Sequence, residues 1–375
     1  MHQNRVFVNN YDVVCCAAKS VTELFDNIRM HKSGIGIYDG YVENKQVALG
    51  KINKDFEISE LLEKYCNKIL VSSNLVDFHD TLLVVGSSVG GMRTTEDIFF
   101  ETGSYEKINP KLHNINTIAY ILNQRFKFKD DISFSTACTS SANAIGYAYE
   151  AIKKGVVSNA LVIGFDTLSY TTVCGFDALS VLSSNPCKPF DKERDGMNVA
   201  EGLGILLLQD EQLDNSVEVC GVGYSSDAHH MTQPSPDGEG AIIAMKEALK
   251  TANLKPEDIN YINAHGTGTI ANDLSESNAI LSLFGKDVNV SSTKSITGHT
   301  LGAAGAIEAI VCVMAIQNQV IPPNTSLSNP DNNDLNLVRQ QKSANIKYTL
   351  SNSLAFGGNN RSEERRVGKE CRSRW

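Results

Sequence analysis

The sequence predicts a layered α/β fold made of two similar halves, and three features support this prediction. Short apolar, β-branched runs recur along the 375 residues, as expected of strands buried on both faces of a sheet. Stretches with helical spacing of apolar residues lie between these runs. A pattern of strand, Ser-Thr and helix then occurs twice, which indicates a duplicated fold.

The predicted strands follow one another along the whole chain. After a strand-like start near Val6, they cover residues 81–85, 132–135, 160–163, 204–208, 217–219, 261–264 and 288–290. Three helices are predicted between them. Apolar residues from Ala142 to Ile152 recur at helical spacing, and Gly155 is placed to end that helix. A second helix covers residues 241–251, and a third, 303–316, is apolar nearly all round and should be deeply buried.

The repeat suggests where the halves divide. Residues 132–138 are predicted to form a strand that is followed by Ser-Thr and then by Cys138, where a helix begins. Residues 288–294 have the same pattern of a strand, Ser-Thr and a reactive residue, here Lys294, and a helix follows from Leu301. Residues 82–88 and 261–267 form a second such pair. We therefore expect one half at 1–212 and another at 213–360, joined near 210–216.

Residues 361–375 differ from everything before them. They contain six basic and three acidic residues and the only Trp, with no strand or helix period. We interpret this segment as an atypical, non-native tail and expect it to lie outside the fold.

Composition excludes several classes of function. The net charge of −9 argues against nucleic acid as a partner. The start lacks a signal-peptide pattern and no apolar run reaches the roughly 20 residues of a membrane span, so a cytoplasmic protein is expected. The nine cysteines include no CxxC pair, and no HExxH motif or carboxylate cluster indicates a metal. The Gly-rich residues 86–91 lack the spacing of a phosphate-binding loop.

Three segments contain candidate catalytic residues. Cys138 follows a strand and opens a helix, where backbone N–H groups and the helix dipole lower a thiol pKa; the alternative is a buried structural Cys. His265 lies in His-Gly-Thr-Gly-Thr just past a strand, and Lys294 and His299 lie between a strand and the helix from Leu301. Two His and a Lys at strand ends, facing a Cys from the other half, are typical of an active site.

These segments together resemble one family. Residues 135–141, 189–196, 226–232, 265–269, 294–299, 351–353 and 356–358 are similar, in this order, to the elongating beta-ketoacyl-[acyl-carrier-protein] synthases. The resemblance covers most of the chain from about residue 82 to 360. It implies the thiolase-like fold, with two pseudo-repeated halves in α-β-α-β-α layers, and a homodimer, although a heterodimer is possible.

The resemblance also implies a reaction and a set of roles. Cys138 would accept an acyl chain from acyl carrier protein; malonyl-carrier protein would then lose CO2, and its carbanion would attack the thioester. His265 and His299 would stabilise the enolate, and Lys294, paired with Glu308, would orient the site. The N–H groups of Cys138 and Phe356 would bind the acyl oxygen, with Phe356 as the gate. The phosphopantetheine arm, carried by the substrate and not by the enzyme, would contact Thr232, Thr267 and Thr269, and the acyl pocket would include Val89 and Phe176.

Some residues depart from the family pattern, and the sequence leaves alternative functions open. Ala355 replaces a usual Gly, Asn359 replaces a usual Thr, and the final strand after Asn360 is expected to be absent or replaced by the atypical tail. Basic residues that could dock the carrier protein are Lys107, Lys111, Arg125, Lys127 and Lys129.

A non-catalytic chain-length-factor-like subunit is the main alternative function, but such partners usually lack the nucleophile. A Cys/His hydrolase is a third reading, and a thiolase is disfavoured because a second Cys in a C-terminal Gly-rich loop is missing.

Overall fold

The computed structural model describes residues 4–52 and 56–367. The strands within these ranges are β1 (Val6–Cys15), β2 (Gly36–Val42), β3 (Lys45–Leu49), β4 (Thr81–Gly86), β5 (Asp130–Phe134), β6 (Asn159–Asp166), β7 (Gly202–Gln209), β8 (Val217–Ser226), β9 (Tyr261–Asn263), β10 (Asn289–Ser291), β11 (Val320–Ile321), β12 (Lys342–Ser343), β13 (Tyr348–Leu354) and β14 (Asn359–Val367). The helices are α1 (Val21–Arg29), α2 (Ile58–Ser72), α3 (Met92–Thr102), α4 (Pro110–His113), α5 (Thr117–Phe126), α6 (Ser140–Lys153), α7 (Tyr170–Ala178), α8 (Glu239–Ala252), α9 (Ile270–Phe284), α10 (Lys294–Thr297) and α11 (Ala304–Asn318).

The main sheet has the same topology in each half. Across the described residues its ten strands run in the order β10-β9-β13-β14-β8-β1-β7-β6-β4-β5. When the five strands of each half are numbered along the chain, both halves have the order third, second, fourth, fifth, first. In both, the second strand is parallel to the third and fourth, and the fifth is antiparallel to its neighbours. The halves meet where β1 pairs with β8.

Helices form layers above, between and below the two half-sheets. In the middle layer, α6 packs on β4 and β6, and α11 packs on β7 and β13. On the outer faces, α2 and α5 cover the first half and α8 and α9 cover the second. The structure therefore confirms the predicted layered α/β fold with two repeated halves.

Helix α11 is the most deeply buried element. Every residue from Ala304 to Ile316 is buried, as the apolar composition of this stretch predicts. The stretch Leu301–Asn318 is long and apolar enough to cross a membrane, but 89% of it is buried inside the protein. Its apolar surface is thus accounted for by the two half-sheets that enclose it.

The final strand corrects one prediction. Residues from Arg361 to Val367, expected to lie outside the fold, form most of β14 between β13 and β8. The physical reason is that both neighbouring strands present backbone donors and acceptors that need a partner. As a result, charged side chains such as Glu363, Glu364 and Arg365 are fully buried. The remainder of the predicted tail lies outside the described residues.

A pair of left-handed residues shows how the halves correspond. Ala137 has φ 51° and lies three residues before α6, and Leu301 has φ 52° and lies three residues before α11. The structural counterpart of Cys138 is therefore Gly302, and not Lys294 as the sequence repeat suggests. Lys294 instead begins α10, in a segment that the second half inserts between β10 and α11.

Candidate active site

Cys138 lies on a sharp connection between β5 and α6. The preceding Ala137 adopts a left-handed conformation, which is rare for a residue with a side chain. Cys138 itself comes one residue before Thr139, the N-cap of α6, so it lies just outside the first turn. Its side chain is buried, with 8% of the residue exposed. The turn therefore presents a single thiol at the junction of the two halves.

His299 reaches this thiol from the second half. Its Nε2 atom lies 3.0 Å from Cys138 Sγ. Its backbone is held by the first half: His299 N donates to Asn198 O at 2.7 Å, and Ala200 N donates to His299 O at 2.9 Å. A short parallel bridge with Val199 thus fixes the position of the imidazole.

His265, Lys294 and Glu308 form a buried chain behind the two imidazoles. The ammonium of Lys294 donates to His265 O at 2.6 Å, lies 3.2 Å from His265 Nδ1, and is ion-paired with Glu308. The rings of His265 and His299 are 5.2 Å apart at an interplanar angle of 86°. The structure therefore brings the predicted Cys, His, His, Lys and Glu side chains into one cluster.

The cluster determines the protonation of the histidines. Burial, and then the charge of Lys294, lowers the pKa of both His265 and His299 well below 6.5. Because the Lys294 ammonium donates to His265 Nδ1, the proton of neutral His265 resides on Nε2, directed away from the lysine. His299 Nδ1, in contrast, has no hydrogen-bond partner in the described part of the chain, so both tautomers are available to it.

The thiol of Cys138 differs from the expectation of a lowered pKa. Burial raises its pKa to about 12, the charge of Lys294 opposes this shift, and the carboxylates of Glu308 and Asp166 add to it. Desolvation outweighs the nearby helix terminus because the sulfur is enclosed and lies outside the first turn. Cys138 therefore rests as a protonated thiol.

Glu276 was not identified from the sequence. This fully buried carboxylate on α9 accepts the backbone N–H groups of His265 and Gly266, both at 2.8 Å, and the amide of Asn352 at 3.1 Å. Burial raises its pKa to about 7. The sequence does contain a signal for this residue: a Glu at a buried position of an amphipathic helix that directly follows a His-Gly loop.

A cavity of about 170 Å³ leads to the cluster. Of the residues predicted to bind ligand, Thr232, Thr267, Thr269, Phe176 and Phe356 line it. The rings of Phe176 and Phe356 lie 6.0 Å apart, and the hydroxyls of Thr267 and Thr269 lie 2.9 Å apart. The cavity thus has an apolar wall on one side and hydroxyl groups on the other.

Val89 does not line this cavity, although the sequence places it in the acyl pocket. It packs instead in a cluster with Phe176, Val173 and Leu301. Its role in the pocket stays a prediction that depends on an extension of the cavity past Phe176.

Three side chains of the cluster lie close enough together to hold a metal ion. The ligand atoms of Cys138, His265 and His299 lie within 4.8 Å of one another. The Lys294 ammonium, however, donates toward His265 and places a positive charge behind it. This charge disfavours a cation there, so the donor set fits acid–base chemistry better than metal binding.

The candidate carrier-docking residues are all exposed and lie around α4 and α5. Arg125 pairs with Glu63 at 3.4 Å, and the Lys111 ammonium lies 5.9 Å from the ring of Tyr120. Exposure is compatible with docking, but these partners also suit an ordinary solvated surface.

Comparisons with known proteins agree along most of the chain. The family model "Beta-ketoacyl synthase, N-terminal domain" matches residues 60–213, and "Beta-ketoacyl synthase, C-terminal domain" matches residues 217–328. A 3-oxoacyl-[acyl-carrier-protein] synthase 2 from Synechocystis is 33% identical over 407 aligned residues, covering 96% of this chain and 97% of the relative. Its namesake from Staphylococcus aureus is 39% identical over 244 residues, or 60% of each chain.

Solved structures show the same likeness. A ketosynthase (ApeO) in complex with its chain length factor (ApeC) from Xenorhabdus doucetiae superimposes with a TM-score of 0.87 at 30% identity, covering 97% of this chain and 98% of that one. A beta-ketoacyl synthase from Burkholderia phymatum gives a TM-score of 0.89 at 27% identity, covering 98% and 100%.

Proposed function

The chain belongs to the beta-ketoacyl synthase family, and we propose that it catalyses the decarboxylating Claisen condensation that elongates an acyl chain by two carbons. The observation that carries this proposal is the cluster of Cys138 Sγ with the ligand atoms of His265 and His299, all within 4.8 Å at the end of a cavity. The substrates are an acyl thioester and malonyl-acyl carrier protein, and the product is 3-oxoacyl-acyl carrier protein.

The first step is acyl transfer to Cys138. The thiol attacks the carbonyl carbon of the incoming thioester while its proton moves to His299 Nε2, 3.0 Å away. The new C–S bond forms as the bond to the pantetheine sulfur breaks, and His299 returns the proton to that leaving thiolate. A neutral His299 with a free Nε2 lone pair suits this step, because its pKa lies well below 6.5.

The second step is decarboxylation and condensation. Loss of CO2 leaves an enolate whose oxygen accepts hydrogen bonds from Nε2–H of His265 and His299, each contributing about 3–4 kcal/mol. The carbanion forms a C–C bond to the Cys138 thioester, the C–S bond breaks, and the Cys138 thiolate takes up one proton from solvent. Lys294 holds the His265 tautomer with its proton on Nε2 and, with Glu308, keeps the net charge behind the site balanced.

The ligand contacts follow from the cavity. We place the amides of the phosphopantetheine arm against the hydroxyls of Thr232, Thr267 and Thr269, and the acyl chain against Phe176, with Phe356 as the gate. The N–H groups of Cys138 and Phe356 would bind the acyl oxygen. The enzyme needs no bound cofactor for this chemistry, since the substrate carries the arm. We place the reaction in the cytoplasm, with the acidic carrier protein docking on the exposed basic residues around α4 and α5.

We also propose that the active form is a dimer of this chain, formed through the free edge of β5. The outer edge of β10, at the other end of the sheet, is bridged by Leu337, whereas β5 pairs only with β4 in the described residues. Beside β5, Tyr147 of α6 is 43% exposed, and its ring lies 5.6 Å from that of Phe134 in β5. Elsewhere in the same half, helix α3 has no buried residue, and Phe100 is 64% exposed. A second copy that continues the sheet would cover this apolar surface.

The chain-length-factor alternative is not favoured, because the nucleophile and all four supporting side chains are present and in contact. The proposal is tested by incubating the protein with carrier proteins that bear acyl chains of graded length and mapping the product by mass spectrometry. Acylation of Cys138 with a defined length dependence is expected. A label on another residue, or none, would contradict the assignment of the nucleophile.

A further inference from the structure

Asp166, at the end of β6, is a buried carboxylate that the mechanism above does not use. It is fully buried and accepts hydrogen bonds from four residues. Ser87 Oγ and Val89 N donate to Oδ1 at 2.7 and 3.0 Å, Ser88 N lies 3.1 Å from Oδ1 and 2.9 Å from Oδ2, and Gly302 N donates to Oδ2 at 2.6 Å. Both carboxylate oxygens are thereby committed to specific donors.

One set of these donors leads to the nucleophile. Ser88, which Asp166 holds by its N–H, donates its hydroxyl to Ala137 O at 2.9 Å. Ala137 is the left-handed residue directly before Cys138. The link from Asp166 through Ser88 thus supports the strained turn that presents the thiol.

The remaining donor, Gly302, belongs to the other half. It lies three residues after His299 and is the structural counterpart of Cys138. A Cβ atom at Gly302 would lie 2.6 Å from Ser88 N and 2.7 Å from Asp166 Oδ2, so only glycine allows this close approach. Asp166 therefore joins the turn before α6 to the turn before α11 at a point adjacent to both Cys138 and His299.

We infer that Asp166 is a positioning residue that sets the approach of Cys138 Sγ to His299 Nε2 by holding the two halves together beside the site. This inference rests on the proposed function. Its role is geometric, because the charge of Asp166 opposes ionisation of the Cys138 thiol and so does not activate it. The backbone of His299 is held separately, by hydrogen bonds with Asn198 and Ala200. Loss of the Asp166 link would therefore move the turn that presents Cys138, and it would disturb the thiol–imidazole contact more than the His265–His299 arrangement.

This asymmetry defines the experiment. In Asp166→Asn, one acceptor oxygen is replaced by an NH2 group that faces existing donors, and the contact between the halves loosens. We expect acyl transfer to Cys138 to fall by about 10²-fold, the scale of an ångström-sized misplacement. Malonyl decarboxylation, measured for the same change in a Cys138→Gln background, should fall by less than about threefold, because it needs only the histidines.

A matched control separates positioning from a general loss of stability. Asp191 is also a fully buried carboxylate, and it accepts three backbone N–H groups, from Glu193, Ser328 and Asn329. None of these partners is Cys138 or His299. Asp191→Asn should change acyl transfer and decarboxylation in the same proportion. Equal losses in both reactions for Asp166→Asn, or an unchanged rate of acyl transfer, would overturn the inference.

Two further measurements keep the test decisive. Ser88→Ala retains Asp166 and removes only the bond to Ala137 O; it should slow acyl transfer several-fold, and a wild-type rate would contradict the inference. Alkylation of Cys138 by iodoacetamide needs no carrier protein, and Asp166→Asn should slow it. If the wild-type protein accepts no acyl group but this alkylation difference is found, the proposed function fails while the positioning role holds.

Discussion

The Nε2 atom of His299 lies 3.0 Å from the Sγ atom of Cys138, although 161 residues separate them in the chain. Each residue follows a strand of its own half, and the contact exists only because α6 and α11 share the middle layer. The pKa values of both groups are shifted by burial so that the thiol is protonated and the imidazole is neutral. In the proposed acyl transfer, the thiol is therefore the proton donor and the imidazole is the acceptor.

Cys138→Gln should abolish condensation and retain, or increase, the decarboxylation of malonyl-carrier protein. The glutamine removes the sulfur while His265 and His299 remain to stabilise the enolate. Release of CO2 and formation of acetyl-carrier protein, followed by mass spectrometry, measure the effect. A hydrolase would show no decarboxylation in this variant, so the absence of CO2 would argue for the hydrolase.

His265→Ala should lower decarboxylation by about 10²–10³-fold, because one donor to the enolate oxygen is lost. Acylation of Cys138 should change far less, since the proton of the thiol goes to His299. His79→Ala, at an exposed position, serves as the control. Equal losses in acylation and decarboxylation would be inconsistent with separate roles for the two imidazoles.

Glu276→Gln should reduce the dependence of stability on pH. Burial raises the pKa of Glu276 from 4.5 to about 7, so between these values the folded protein holds a proton that the unfolded chain has released. The stabilisation from this proton is fully present below pH 4.5 and is lost as the pH rises through about 7. The total loss in the free energy of unfolding is roughly 3 kcal/mol. Other buried carboxylates, such as Glu308, act in the same direction.

The measurement is urea unfolding at pH 5 and pH 8 for the wild type, Glu276→Gln and an exposed control, Glu106→Gln. The loss of unfolding free energy between the two pH values should be smaller only in Glu276→Gln. If all three proteins lose the same unfolding free energy between pH 5 and pH 8, the carboxyl of Glu276 is ionised throughout this range.

Glu364→Val should stabilise the protein. Both carboxyl oxygens of Glu364 are buried without a hydrogen-bond partner in the described residues, and burial raises its pKa well above 4.5. A buried polar group without a partner costs about 1–3 kcal/mol, so replacing it by an apolar side chain should recover a gain of this size. Arg366→Val is the control, because it breaks an ion pair with Glu218 of 2.7 Å and should not stabilise.

The same variant tests the origin of the segment. We propose that residues 361–375 are foreign to this fold, since their described part, 361–367, occupies a core position and buries charged groups such as the Glu364 carboxyl, which has no hydrogen-bond partner among the described residues. A lower melting temperature for Glu364→Val would show instead that the core is adapted to this carboxyl.

Phe100→Glu should convert the proposed dimer to a monomer without affecting the fold, because Phe100 is exposed in the single chain. Light scattering during size-exclusion chromatography gives the mass. Ile243→Glu, an exposed apolar position on α8 in the outer layer of the other half, should leave the mass unchanged. A monomeric wild type would exclude self-association and direct attention to a non-identical partner subunit.

The sequence predicts the parts of this molecule that have strong local signals. The seven strands predicted between residues 81 and 290 and helices α6, α8 and α11 are confirmed, because apolar strands and apolar helices leave clear patterns. Strands β13 and β14 were missed, since β13 is polar in sequence and β14 is charged, and their pairing is determined by neighbours that are distant in the chain.

The same limit applies to the site. Cys138, His265, Lys294 and His299 are found from their segments, but the raised pKa of the thiol depends on enclosure by both halves, which no local pattern records. Asp166 is the last residue of an ordinary apolar strand, and only the folded chain brings Gly302 to it. Positions that act through long-range hydrogen bonds are therefore the ones that need a structure.

The correspondence of Cys138 with Gly302 limits how this duplicated protein can evolve or be redesigned. A second sulfur introduced at Gly302 would collide with Ser88 and Asp166, so the molecule cannot acquire a symmetric pair of reaction centres by restoring the repeat. The turn before α6 presents the Cys138 thiol, and the equivalent turn before α11 uses Gly302 to bind the Asp166 carboxylate.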